Sequence, residues 1–388
     1  ALDSTKYVGI GTTQKYYIEE GLTFNDITPL RTTTSAGGVS AINAAKTTIN
    51  ANISSSATTI SLTSVTNFAP FGFIKIDSEI IYYAAIDSSN ADLTGCERGQ
   101  KGTTAASHSS GADVGTSTLK VTDANHGAVK DSFVTFSGAT SLGGNITANI
   151  LNQEYQIYTV DTTSSNVYYI NVRTYSSGAT DIKSLTSDGA IADTLVFSKT
   201  DGSDSNTGGS NIVGAYQLNA GIDDSITSTG WGASPWNAGT WNNTSTSVDT
   251  MRIWSHDNFG EDLLINVRDG NIAYWDKSNG TGTAAVLLSS LANSNKAPSV
   301  SKQIMVSDRD RHVIAFGCDS GGDPLIATAS GTQDPLLIRF SDQESVAEWE
   351  TKADNTAGFL ALGSGSEIVM AIETRQQILV FTDTSLHS

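Results

Sequence analysis

Apolar residues fall along this chain in short bursts set off by polar turns, and the bursts come in pairs. DLLINVRDGNIAYWD (262–276) is an apolar strand, an Asp269-Gly270 hairpin signal and a second strand. HVIAFGCDS (312–320) with DPLLIRFSD (334–342) gives the same pair across a longer loop, and QILVFTDTSLHS (377–388) begins it again. KYVGIGTTQKYYIEE (6–20) is an earlier copy. RIWSHDNFG (252–260), KQIMVSDRD (302–310) and EIVMAIETR (367–375) precede the last three copies, each adding a strand and a polar turn. A propeller blade has four strands and its middle pair reads in this way. The pattern therefore predicts an all-β protein whose body is an irregular β-propeller.

Between the first copy and the second lies a long insertion with a repeat of its own. ATTISLTSVTNFAPFGFIKIDSEIIYYAAID (57–87) parallels TSTLKVTDANHGAVKDSFVTFSG (116–138) continued by NQEYQIYTVD (152–161). Each copy has a Thr-rich strand, a Phe-centred strand and a tyrosine strand ending in Asp, with the period-two pattern of a small antiparallel sandwich. DGSDSNTGGSN (201–211) reads as the loop back to the body. The expected organisation is a first blade portion over 1–33, inserted β domains over 34–115 and 116–211, and further blades over 212–388. A propeller must close or leave pairing edges. The chain opens into a strand and stops at His387-Ser388 with a hairpin unclosed, so a fragment of a longer polypeptide is expected.

Composition agrees with strands and turns. Hydrophobic residues are 38% and charged residues 16%, with 36 glycines and abundant Ser, Thr and Asn. The formal charge of −18 repels phosphates and anionic membranes, and no basic run interrupts it. A sequence-reading DNA binder is disfavoured, whereas a wall that DNA slides past wants this sign. Cys96 and Cys318 lie in different modules and make no disulfide framework. No apolar stretch is long enough to span a membrane.

Chemistry concentrates in GCERGQKGTTAASH (95–108). A phosphate loop needs G-x-x-x-x-G-K-[ST] before a helix, but here the first gap is one residue short and Gln100 separates Gly99 from Lys101. Cys96 and His108 are two zinc ligands without a second pair. A Cys–His nucleophile stays open, because the base can come from anywhere in the fold; Glu97 beside Cys96 would raise the thiol pKa and Arg98 would partly offset that. The favoured reading is a hairpin tip, with Cys96, Arg98 and His108 as a candidate contact hairpin. SHDNFGED (255–262) half-resembles an Asp-box but has its glycine late and lacks the Trp. DRDRH (308–312) reads as a solvated turn, and DGSDSN (201–206) fails calcium-loop spacing. Trp231, Trp236 and Trp241 recur five apart among small residues; packing between blades or subunits is favoured over sugar stacking. No catalytic constellation, cofactor or metal site emerges, and a non-enzymatic protein is expected.

GIGTTQKYYIEEG followed by NDITPLR, then GWGASPWNAGTW, RIWSHDNFGEDLLINVRDGNIAYWD, VSDRDRHVIAFG, QDPLLIRFSDQES and ETRQQILVFTDTSLHS resemble the nozzle proteins of short-tailed bacteriophages. This family is also called tail tubular protein B, here of the marine-phage type. The resemblance covers 6–33, 212–388 and VTFSGATSLGGN (134–145). FIKIDSEIIYYAAID with LTGCERGQKGTTAASHSSGADV is similar to an accessory module scattered among phage tail proteins. The resemblance implies an irregular propeller with inserted β domains, assembled as a homo-hexameric tube of the virion tail. It implies assembly in the host cytoplasm, contact with an adaptor ring and tail fibres, and passage of duplex DNA through the lumen without sequence recognition. It carries no catalytic residue. The competing expectation is a tail adhesin that binds host glycans through the inserted domains or the tryptophan cluster.

Overall fold

The computed structural model describes residues 7–124, 126–174, 194–221, 252–307 and 309–388. Among them are thirty strands, one single-turn α-helix (Ala148–Leu151) and two 3-10 turns, so the all-β class holds. Chain contacts divide the molecule into a body, Ala1–Arg31 with Gly221–Ser388, and an inserted unit, Thr32–Ala220. Each is described separately.

The body contains four antiparallel meanders. Sheet I is Val8–Gly11, Tyr16–Glu20 and Thr23–Asp26; sheet II is Trp254–Phe259, Asp262–Val267, Ile272–Trp275 and Val286–Leu287. Sheet III is Ser301–Val306, Val313–Cys318, Leu337–Phe340 and Gly358–Ala361; sheet IV is Ile368–Glu373, Ile378–Thr382 and Leu386–His387. All four predicted hairpins are present, and 254–259, 301–306 and 368–373 add the expected preceding strands. Asp269 takes φ 55° in the predicted turn, where its short polar side chain tolerates the left-handed region.

Alternation along each strand decides how the sheets stack. Leu263 and Ile265 face Tyr16, Ile18 and Ile27 of sheet I and its flank, while Leu264 faces Ile304, Val306 and Val313 of sheet III. Met305 and Phe316 point the other way, onto Ile368, Ala371 and Val380 of sheet IV. Central strands buried on both faces read as continuous apolar runs such as LLI and VIAF. Each buried Leu or Ile stabilises the stack by about 1.5–3 kcal/mol. Polar side chains fix the spacing: Ser255 Oγ and Asp257 Oδ2 accept the Ile304 and Val306 N–H at 3.3 and 2.8 Å. Gln303 exchanges both bonds of its amide with the Ala371 backbone at 2.8 and 2.9 Å, acting as a fragment of strand between sheets III and IV. The sheets form an open series; no closed propeller ring is made among the described residues.

The inserted unit has two cores. Around the first, strands run in the order Val213–Gln217, Phe133–Ser137, Glu154–Val160, Val167–Asn171, Thr118–Asp123, Val39–Ala44. The sheet curls until Gly37 and Val39 both donate to the Ile212 carbonyl, at 3.1 and 3.4 Å. Around the second, Thr47–Thr48, Asp113–Thr116, Gly72–Ile76 and Glu79–Tyr83 form one sheet, and Ala85–Asp87, Asp92–Thr94 and Thr59–Ser61 another. Two expectations change here. The outer boundaries fall at 31/32 and 220/221, and Val39–Ala44 leaves the first module because its backbone pairs with Thr118–Asp123 of the second. The internal repeat survives only as the Phe-strand/Tyr-strand pair, Phe73↔Tyr82 and Val134↔Tyr155. Thr59–Ser61 sits in a separate sheet from its pair, whereas Thr118–Asp123 shares theirs.

Candidate functional site

The 95–108 stretch lies in the inserted unit and is organised around a residue outside it. Ile76↔Glu79 close a two-residue turn in which Asp77 takes φ 50°, and Glu79, Ile81 and Tyr83 all point inward. Period two thus drives a carboxylate into the core beside Ile76, where it requires donors. Arg98 supplies two, Nε to Oε1 at 2.9 Å and Nη2 to Oε2 at 2.7 Å. The Gly99 and Ala106 N–H groups add two more at 3.0 Å each, and His108 Nε2 lies 2.7 Å from Oε2. Burial alone would push the Glu79 carboxyl up; these donors outweigh it and hold the pKa at about 2.

The rest of the loop wraps the same ion pair. Arg98 also donates to the Ser54 carbonyl and, at 2.6 Å, to that of Ala106. His108 Nδ1 reaches Asp77 Oδ2 at 2.8 Å, and the His108 backbone bridges Ile53. Gly99 takes φ 64°, and a Cβ there would sit 3.0 Å from the Ala105 nitrogen and the Thr103 carbonyl oxygen, so the turn requires glycine.

This geometry closes the nucleophile question. Cys96 is buried in the second core with its thiol aimed at the Leu93 carbonyl, 3.4 Å away. Burial raises its pKa to about 11, with Arg98 opposing, so burial and not Glu97 is the cause. Both ring nitrogens of His108 face carboxylates, leaving neither for a thiol. A strand, Asp113–Thr116, follows the loop where a phosphate loop needs a helix. The expected hairpin tip is instead a connection between two sheets, since Asp92–Thr94 and Asp113–Thr116 on either side of it pair with other strands. The loop is locked to a buried carboxylate, and the structure brings Arg98 and His108 together while sending Cys96 into the core. Sequence reasoning missed Glu79. Its signal was an acidic residue at an inward position of EIIYY.

Because Glu79 titrates lower folded than unfolded, its stabilisation is full above its ordinary value of 4.5 and is lost as pH falls toward about 2. The lost contribution is about 3 kcal/mol. The protection of the 99–107 amides, relative to their intrinsic exchange rate at each pH, is therefore expected to fall across that window. Equal protection of the loop at pH 5 and pH 2.5 would contradict this account.

The other candidates resolve as structural groups or fall outside view. Asp257 is engaged by the Val306 N–H, and Arg311 stacks on Phe259 at 4.8 Å. In the 201–206 loop, Asp204 accepts from the Asn145, Ile146 and Lys199 N–H groups at 2.9, 3.0 and 2.7 Å. An open cleft of about 470 Å³ adjoins Phe259, Asp262, Lys277 and Arg311. Its Asp262 accepts from Tyr274 and from the Lys277 N–H, and its Lys277 lies 3.4 Å from Glu261. Trp231, Trp236, Trp241 and Asp308 lie outside the described residues. Among those described, no three or more His, Cys, Asp or Glu side chains group as a metal site, and no helix is long and apolar enough to cross a membrane. Compared with protein-family models and with curated proteins, the chain matches none.

Proposed function

We propose that this chain is a structural subunit of a short-tailed phage tail, assembling as a homo-hexameric nozzle through which DNA leaves the virion. The observation that carries the reading is the outer face of sheet IV. Register places Met370 opposite Phe381, Ile372 opposite Leu379, and Leu386 opposite Phe381, all on the face turned away from sheet III. Met370, Ile372 and Leu386 are 46%, 42% and 55% exposed. In a series where every preceding face is covered by the next sheet, an all-apolar face is what an assembling subunit buries. Heterologous contacts of that kind close into rings. The resemblance of 6–33 and 212–388 to nozzle proteins points the same way. The charge of −18 suits a wall that must not hold DNA by counterion release.

Negative-stain electron microscopy of the full-length gene product tests the proposal: sixfold rings with a DNA-wide channel are expected, and lone particles would refute it. Ile372→Glu places a charge on the apolar face and is expected to weaken association at least tenfold in analytical ultracentrifugation, with the melting temperature of each unit unchanged. Unaltered association would remove sheet IV from the interface.

A further inference from the structure

The outward face of the Glu79–Tyr83 sheet breaks the rule that solvent-facing strand positions are polar. Phe73 and Tyr82 stand opposite each other there, ring centroids 5.3 Å apart, both half-buried. Phe71 and Tyr158 form a second ring pair at 4.9 Å, also half-buried. Phe71 and Phe73 are two residues apart in the chain, which brings the second pair beside the first. Four rings thus make one row on the surface of the inserted unit. Lys101, exposed on the locked loop, places Nζ 5.0 Å from the Phe73 ring centroid. Glu97 is exposed and its backbone bridges Tyr82, which puts its side chain on the same face.

We propose that this row is a glycan-binding platform. Aromatic rings offer flat faces with negative quadrupoles to the positively polarised C–H face of a pyranose. The rim supplies a donor, Lys101, and an acceptor, Glu97, as sugar hydroxyls demand because each both donates and accepts. A phosphate polymer is the wrong occupant: Glu97 and the net charge of −18 repel it. The Glu79 lock gives the site its rigidity, since it fixes the loop carrying both rim residues through Arg98 and Gly99. This platform goes beyond the tube reading and does not depend on it, because it lies within one unit of a single chain.

Isothermal titration of the full chain with maltohexaose, chitohexaose, dextran and cellohexaose tests it. Binding to at least one is expected, falling at least tenfold in Phe73→Ser/Tyr82→Ser. Lys101→Ala and Glu97→Ala keep the rings in place and are expected to weaken binding several-fold, which separates lost recognition from a damaged sheet. Absence of binding across the panel overturns the proposal, as does equal binding by the ring and rim variants. Loss of assembly in the ring variant, with no sugar bound by the parent, would make the row a protein contact instead. Ring assembly by a parent that binds no sugar would sink the platform and leave the nozzle reading standing.

Discussion

Glu79→Gln is expected to unlock the 95–108 loop and to destabilise the inserted unit by about 3–5 kcal/mol, the cost of breaking a buried ion pair from one side. The substitution preserves shape and changes only chemistry. Five donors converge on the carboxylate: two from Arg98, the Gly99 and Ala106 N–H groups, and His108 Nε2. A carboxamide turns one of its two polar atoms into a further donor, so part of this set faces a donor, and Arg98 is left buried without its counter-charge. For a unit of this size the loss corresponds to about 6–20 °C in its melting temperature. Arg98→Met attacks the same centre from the other side and removes one donor each from the Ser54 and Ala106 carbonyls. The two changes should couple by about 0.5–3 kcal/mol in a double-mutant cycle. Additive effects, or a melting shift under 2 °C with unchanged protease resistance at 99–107, would show that the centre is not the lock described here.

The second large effect is expected in the body, at Arg339. Its side chain is fully buried and lies over Trp349 at 5.8 Å. It donates to the carbonyls of Lys296, Ser320 and Trp349 at 2.6, 2.7 and 2.5 Å, and more distantly to Asp323 at 3.5 Å. Three loop segments around sheet III therefore meet on one guanidinium. Arg339→Met keeps the packing on Trp349 but leaves three carbonyls and a carboxylate without this donor, at about 1–3 kcal/mol for each buried group. A total of about 3–5 kcal/mol is expected once the loops relax. Asp323→Asn should cost less, because the Arg339–Asp323 contact is the longest of the four and the amide keeps an acceptor for one of the two backbone donors, Leu325 N–H or Thr351 N–H, that bond the two carboxylate oxygens at 2.9 Å. Denaturant titration of both variants decides the order. A larger loss from Asp323→Asn would mean that charge, not carbonyl capture, holds these loops.

Some of the acidic residues hold the fold together from within. Glu79, Asp323 and Asp204 are buried acceptors for backbone or arginine N–H groups, so they act as connectors between loops and add little to surface repulsion. Lys15 and Asp26 make the same kind of buried pair in sheet I, 2.7 Å apart. Such residues are needed because turns rich in Gly, Ser and Asn contribute few apolar contacts of their own.

Much of the local structure was determined by the sequence alone. Alternating apolar positions and Asp-Gly or glycine turns specify strands and hairpins over a handful of residues. For that reason 262–267, 272–275, 301–306, 313–318 and 368–373 appear where the pattern puts them. The turns within 95–108 were legible for the same reason, since glycines at φ 63° and 64° are a local requirement, but that the segment joins two sheets and does not cap a hairpin was not. Tertiary structure decided which partner each element meets. Val39–Ala44 has the same alternation whichever module claims it, and only its pairing with Thr118–Asp123 settles the matter. Leu264 and Ile265 are equally apolar, yet they face different sheets because a strand buried on both sides carries no sign of which face is which. The convergence of Glu79, Arg98 and His108 spans 19 to 29 residues of chain. Periodicity fixes the direction of a side chain relative to its neighbours, whereas a buried charge is satisfied by whatever the fold brings back to it.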